Sequence, residues 1–418
     1  MNNIQKPGLY IHIPFCVKKC NYCDFFSLGA NDLSCRSGSD IYSSYASALL
    51  NEAKYLAECA MRRILRCGAL TPEAYDTVYI GGGTPSLLPP ENIIELVHIL
   101  RTSFDIPYNA EITIEANPGT LTDAKLKAYR EAGINRISIG VQSLDDAQLG
   151  FLGRIHNSKE AKDAVTLAKR YFENINVDFI FGIPGLSGIS TSETLKNVRD
   201  KASFVIDREL PHVSFYSLIT EPGTPLYSWD RAGRLDRVED ELEREMYYDF
   251  CNILQSHGYG QYEISNFALP GFESRHNLKY WSGAAYTGIG AGAVSFLPAP
   301  EDGQFVRFRN VPDIGTYINT YALSSCKDSC RLPETRGVSE IQEVLDVDAR
   351  KKEYMMLGFR KTKGPDPELY SQLFGGALLS EDFCQEIDEL IKSGYVRNDL
   401  SLTRKGLDMG NEIFLKFV

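Results

Sequence analysis

The sequence predicts an α/β protein of repeated strand–helix units. The reading rests on a recurring set of short strand-like runs, on amphipathic helical stretches between them, and on where the chemically notable residues fall. The runs, rich in β-branched and aromatic residues, are Leu9 to Ile13, Thr77 to Ile80, Glu111 to Ala116, Arg136 to Val141, Asn176 to Phe181 and His212 to Leu218. They read as buried parallel strands. Six such units suit an open doubly wound sheet or an incomplete barrel, and periodicity alone does not separate the two, because both bury their strands on two sides. In either case chemistry belongs at the carboxyl ends of the strands. There, three cysteines follow the first run, a glycine run follows the second, Glu115 closes the third and Gln142 follows the fourth.

The intervening helices are read at Ile41 to Leu65, Glu91 to Phe104, Thr122 to Ala132, Ser158 to Tyr171 and Ser192 to Ile206, with Pro89 and Pro90 placed to open the second. After about residue 220 the texture changes to a charged helix, Arg237 to Ser256, and then to a loop-rich stretch containing GYGQYEISNFALPGFESRHNLKYW; Pro298 to Gly303 reads as a surface loop. From Glu353 onward the pattern is helix, helix, short strand pair and helix, the outline of a small winged-helix-like α+β domain. Its association with DNA is analogy at the level of fold. The expected boundaries are 1–235 for the strand–helix core, 236–345 for the connecting region and 346–418 for the C-terminal domain.

With 43% hydrophobic residues, 418 residues can bury one large core and a smaller second one. The formal charge of −11 argues against a broad phosphate-neutralising surface, so no nucleic-acid partner is expected. No apolar run is long enough for a membrane span, and MNNIQKPGLYIHIPF lacks the regions of a signal peptide, so the expected location is the cytoplasm. In that compartment the clustered cysteines read as metal ligands rather than disulfides.

The segment IHIPFCVKKCNYCDFF spaces Cys16, Cys20 and Cys23 by four and three residues, so one short piece of backbone can wrap three corners of a metal cluster and leave a fourth free. Two alternatives stand beside this. One is a buried helix face bearing cysteines, opposed by Pro14 and by the polar Lys18, Lys19 and Asn21. The other is a structural zinc, which wants a fourth ligand such as Cys35 or His12.

The string CxxxCxYC after a strand resembles the signature of the radical S-adenosylmethionine superfamily. That resemblance implies a partial (β/α)6 TIM-like barrel, a 4Fe-4S cluster on Cys16, Cys20 and Cys23, and S-adenosyl-L-methionine chelated by the open iron, on a scaffold able to cleave that cofactor. Longer matches, YIHIPFC, GGGTPSLL, EITIEANP, RISIGVQS, LGRIH, NVDFIFGIPG, YSLITEPGTPLY, HNLKYW and LTRKG, are similar to the HemN/HemW group over nearly the whole chain. They imply cofactor contacts from Tyr10, Gly82, Gly83, Thr84, Glu115, Gln142, Arg154 and Asp178, with the glycine run at the methionine amino group and the later four lining its carboxylate, sulfonium and ribose. A guanidinium fork suits a carboxylate well.

Two branches of that group compete. The oxygen-independent coproporphyrinogen oxidases extend the motif by one cysteine and carry an N-terminal arm. Here Phe25 stands at the position of the extra cysteine, and Cys16 is only the sixteenth residue. The string His276 to Trp281 matches the HNxxYW motif of the haem-chaperone branch, which makes 236–345 a haem-associated region, His276 a candidate haem ligand, and Tyr280 and Trp281 flat surface for the macrocycle. The resemblance therefore implies haem as cargo and haem-accepting proteins as partners, met at the inner membrane face through protein contacts, and it is compatible with a homodimer. Radical decarboxylation of porphyrinogen propionates is the second reading. No catalytic residue is assigned.

Overall fold

The computed structural model describes residues 6–29, 41–62, 65–66, 69–186, 191–301, 303–322 and 339–418. All six expected strands form: β1 (Gly8–Ile13), β2 (Thr77–Gly82), β3 (Glu111–Ala116), β4 (Arg136–Gln142), β5 (Asn174–Phe181) and β6 (His212–Ser217). They lie side by side in sequence order, every neighbouring pair parallel. Between them run α1 (Ile41–Arg62), α2 (Pro90–Ser103), α3 (Asp123–Glu131), α4 (Asp146–Phe151), α5 (Ser158–Ala168) and α6 (Leu195–Asp207).

Local chemistry sets these helix boundaries. Pro90 occupies the first turn of α2, where its missing N–H costs nothing. The Thr122 hydroxyl caps α3, and Asn157 with Glu160 forms a reciprocal capping box at α5.

Period-two alternation gives the parallel strands two different faces. Leu9, Ile11, Val78, Ile80, Ile112, Ile114, Ile137, Ile139, Val177 and Phe179 pack with helix residues such as Ile93, Leu96, Leu126, Val165 and Val198 in one continuous apolar core. The alternate residues make a polar inner face. On it the Asn176 amide donates to Ser138 Oγ, Asp178 Oδ1 and Ser214 Oγ.

The sheet does not stop at six strands. The segment after residue 235 contributes α7 (Asp240–Ser256) and then the short β7 (Gly260–Gln261) and β8 (Asn266–Ala268), which extend the sheet antiparallel beyond β6. The chain returns through α8 (Arg275–Trp281) to the opposite edge, where β9 (Tyr286–Ile289) pairs parallel with β1. β10 (Val294–Pro298), β11 (Phe305–Asn310) and β12 (Ser339–Leu345) continue outward, antiparallel. The chain after residue 235 thus builds both edges of one twelve-stranded, open, barrel-like sheet.

Beyond it the C-terminal region is helical, with helices Val347–Gly358, Pro367–Leu373 and Cys384–Lys392. The expected strand pair is a single antiparallel bridge between Val396 and Leu402. Tyr354, Met355, Phe359, Tyr370, Leu390, Ile413 and Phe417 form a separate small core there. Among the described residues no helix is long and apolar enough to cross a membrane. Cys35, Cys326 and Cys330 lie outside the described residues.

Candidate functional site

The three thiols sit on an irregular loop directly after β1, not on a helix. Backbone pairing closes the loop at its base: Cys16 N–H donates to Leu28 O at 2.9 Å, Leu28 N–H to Pro14 O at 2.8 Å, and Phe15 and Leu28 form a parallel bridge. Asn21, between the second and third cysteines, fixes the tip. Its N–H donates to Leu152 O at 3.0 Å, its amide to Phe151 O at 2.7 Å, and its carbonyl accepts from Leu226 N–H at 2.9 Å. All three cysteines are half-buried and unpaired by disulfide. Burial pushes the Cys16 thiol up and the Cys23 thiol to about 11.

Three side chains link two of these thiols in a continuous polar chain. The Thr84 hydroxyl donates to Cys16 Sγ at 3.8 Å, and the Asn117 amide donates to Thr84 Oγ1 at 2.9 Å. Arg154 reaches Asn117 Oδ1 and Gly140 O with Nη2 and Cys20 Sγ at 3.3 Å with Nη1. The buried Arg154 Nε has no partner among the described residues. Gly140 is the point where Gln142 and Arg154 converge: a Cβ there would lie 2.8 Å from Gln142 Nε2 and 3.3 Å from Arg154 Nη2. Gln142 itself ends β4 in the left-handed region, φ 64°, next to a register irregularity. A non-glycine residue held there is locally strained.

The glycine run packs closely, but against the protein. Gly82 has φ 113°, and a Cβ on it would stand 2.6 Å from His12 Cε1; one on Gly83 would stand 2.6 Å from Phe15 O. Their N–H groups are engaged as well, Gly82 with Glu115 Oε2 at 3.1 Å and Gly83 with Ile13 O at 2.8 Å. Glu115 also accepts from Tyr79 Oη at 2.7 Å. Burial outweighs both hydrogen bonds and pushes its carboxyl up to about 7, with Asp178 adding to the rise. Asp178 accepts from Ser138 and Asn176, and burial raises its carboxyl too.

Tyr10 faces the same interior, its hydroxyl 2.9 Å from His12 Nδ1. His12 Nε2 lies 2.8 Å from Phe26 O. A carbonyl only accepts, so Nε2 carries the proton and Nδ1 accepts from Tyr10. Both ring nitrogens of the candidate zinc ligand are thereby used. Among the described residues no three His, Cys, Asp or Glu side chains, the three thiols included, converge closely enough to share one metal ion.

The cysteines, Thr84, Arg154, Glu115, Gly82, Gln142 and Tyr10 therefore meet at the carboxyl end of the sheet, with Asp178 on the adjoining inner face. His276 does not join them. It starts α8 at the opposite, amino end: the Arg275 and His276 N–H groups donate to Glu111 at the start of β3, each at 3.0 Å. Its Nδ1 lies 2.9 Å from Thr77 Oγ1 and its Nε2 3.1 Å from Tyr280 Oη. The ring stacks on Tyr79 with centroids 5.2 Å apart, and burial pushes its pKa down to about 3. Binding iron through this imidazole would require Thr77 or Tyr280 to give up the ring nitrogen it holds.

Sequence alone gives Asn117 and Asn21 no role at the site. Alternation from Glu115 puts Asn117 on the same strand-end face, and Asn21 lies inside the cysteine spacing, so both signals were present.

The radical SAM superfamily model matches residues 10–198. The chain is 34% identical to the heme chaperone HemW of Lactococcus lactis over 99% of its own length and 98% of the relative's. It is also 34% identical to that of Bacillus subtilis, over 98% of both, and 38% identical to that of Escherichia coli over 72% of both. Among solved structures, the coproporphyrinogen III oxidase HemN of Escherichia coli, a radical SAM enzyme, superposes with a TM-score of 0.73 at 20% identity, covering 99% of this chain and 90% of that one. At that identity the likeness carries the fold alone. The full-length identities carry more, and the chain belongs to the HemW family of the radical SAM superfamily.

Proposed function

We propose that this protein is a haem chaperone, binding haem and handing it to haem-requiring proteins. The observation that carries the reading is identity of about one residue in three, across essentially the full length, to proteins named as heme chaperones. The oxidase reading has only the shared fold with HemN behind it.

Cys16, Cys20 and Cys23 would hold a 4Fe-4S cluster, and the residues fit that group. The thiols hang from one pinned loop, and two of them accept hydrogen bonds from Thr84 and Arg154. Loading would displace the thiol protons. A cluster bound there would supply the electron for reductive chemistry on S-adenosyl-L-methionine.

The protein's own residues do the rest. Arg154, held by Asn117 and Gly140, keeps positive charge beside Cys20. Glu115, fixed by Tyr79 and Gly82, offers a carboxyl poised near neutrality. Tyr10, Gly82, Gly83, Thr84, Gln142 and Asp178 are the remaining proposed cofactor contacts. Haem-accepting proteins are the proposed partners.

Anaerobically prepared, cluster-loaded protein titrated with haem tests the reading. One haem per chain with a Soret shift, and no divinyl product from coproporphyrinogen, is the expected result. No Soret shift, or formation of that product, reverses the ranking.

A further inference from the structure

A cleft of about 390 Å³ adjoins the candidate cofactor site, and half of its wall comes from the added part of the sheet. Tyr10, Gly82 and Glu115 line its inner side. Tyr280, Tyr286 and Arg309, from α8, β9 and β11, line the other, and Phe25 stands at the edge. The volume lies in the range of small-molecule clefts, which combine apolar and aromatic walls with a few placed polar groups.

Two features single out the ligand's chemistry. The first is aromatic surface without a complete partner. Phe25 is 64% exposed although it lines a concave site. Tyr280 and Tyr286 meet edge to face, with centroids 4.8 Å apart, and present a rigid wall across from Tyr10.

The second is Arg309. Its Nε donates to Gly292 O at 3.3 Å, and among the described residues no carboxylate lies within ion-pair distance of it, not even Glu340, its register neighbour on β12. Arg307, two residues earlier on the same strand, pairs with both Glu343 and Glu353. The register between β11 and β12 skips Gln342, and this displaced residue also lines the cleft. A guanidinium beside aromatic walls suits a flat, apolar molecule carrying a carboxylate.

We infer that haem rests in this cleft, its macrocycle against Phe25 and the Tyr280–Tyr286 wall and one propionate on Arg309. The inference rests on the haem reading above and adds where and how the cargo is held. It also gives the HNLKYW segment a role in which Tyr280 faces the ligand and His276, behind it, holds Tyr280 in place.

The test is a Soret titration of cluster-loaded protein with haem and, separately, with haem dimethyl ester, which keeps the macrocycle and loses the carboxylates. Wild-type protein and Arg309→Lys should bind haem at least tenfold more tightly than the ester, Arg309→Gln should bind the two alike, and Phe25→Ala should weaken both. No binding of either compound by wild-type protein sinks the chaperone reading itself. Binding of haem without preference over the ester, or a preference that survives in Arg309→Gln, overturns the cleft assignment alone. Should Arg309→Gln fail to fold, the preference in wild type and its retention in Arg309→Lys decide the matter.

Discussion

Arg154 donates through Nη1 to Cys20 Sγ at 3.3 Å while its other terminal nitrogen is held by Asn117 Oδ1 and Gly140 O. One guanidinium thus ties the cysteine loop to the ends of β3 and β4. A group in this position orients and electrostatically supports a ligand without being one.

Removing it should weaken cluster retention without abolishing it. Arg154→Ala is expected to lower cluster affinity about 10- to 100-fold, the usual effect of losing an outer partner of a metal ligand, whereas Cys16→Ser, Cys20→Ser and Cys23→Ser should each lower iron content far more. Iron per chain and the charge-transfer absorption after anaerobic reconstitution check this; full iron in any of the three serine variants would contradict the assignment.

Gly82→Ala should destabilise the fold by roughly 1–3 kcal/mol, because the residue has φ 113° and its new methyl would press on the His12 ring. Thermal unfolding measures it. A melting temperature equal to wild type would show that the β2 end yields at little cost.

Stability should depend on pH through two opposed kinds of group, a pair of histidines and a carboxyl. His276 is held down at about 3 and His12 at about 4, below the ordinary 6.5, so their contribution is complete above pH 6.5 and fades as pH falls toward 4. Glu115 is held up at about 7 from an ordinary 4.5, so its contribution is complete below pH 4.5 and is lost as pH rises through 7. Relative to wild type, Glu115→Gln should therefore gain melting temperature steadily between pH 4.5 and 7.5, and His276→Gln should flatten the acid side. Curves parallel to wild type would mean that neither group titrates as its surroundings dictate.

His276→Gln also separates two roles for the HNLKYW segment. If the imidazole only supports Tyr280 and the end of α8, the variant loses stability and keeps a haem spectrum of wild-type shape. A changed Soret position with an unchanged melting temperature would mean that the ring leaves its pocket to take the iron.

Much of this was readable in advance, for physical reasons that differ by region. The six parallel strands announce themselves because their helix-facing residues, Leu9, Ile11, Val78, Ile80, Ile137 and Ile139, sit in one apolar core. β7 and β8 do not, being two and three residues long, and β12 exposes nearly every residue and so carries no period. The pairing of β9 with β1 joins strands far apart in sequence, and no local pattern encodes it.

The glycine run was legible as a place of close approach, yet the approach is to His12 and Phe15 of the same chain. The environment of His276 was hidden because Glu111, which accepts from its backbone N–H, is remote in sequence.

The anchoring of Asn21 to Leu152 and Leu226 makes the shape of the cysteine loop a property of the folded chain. The backbone partners that pin its tip lie 131 and 205 residues further along the sequence. A chain lacking those later residues cannot hold Cys16, Cys20 and Cys23 in this arrangement. A cluster bound there would meet a cradle set by folding, unlike the ion of zinc-finger domains, which need it in order to fold at all.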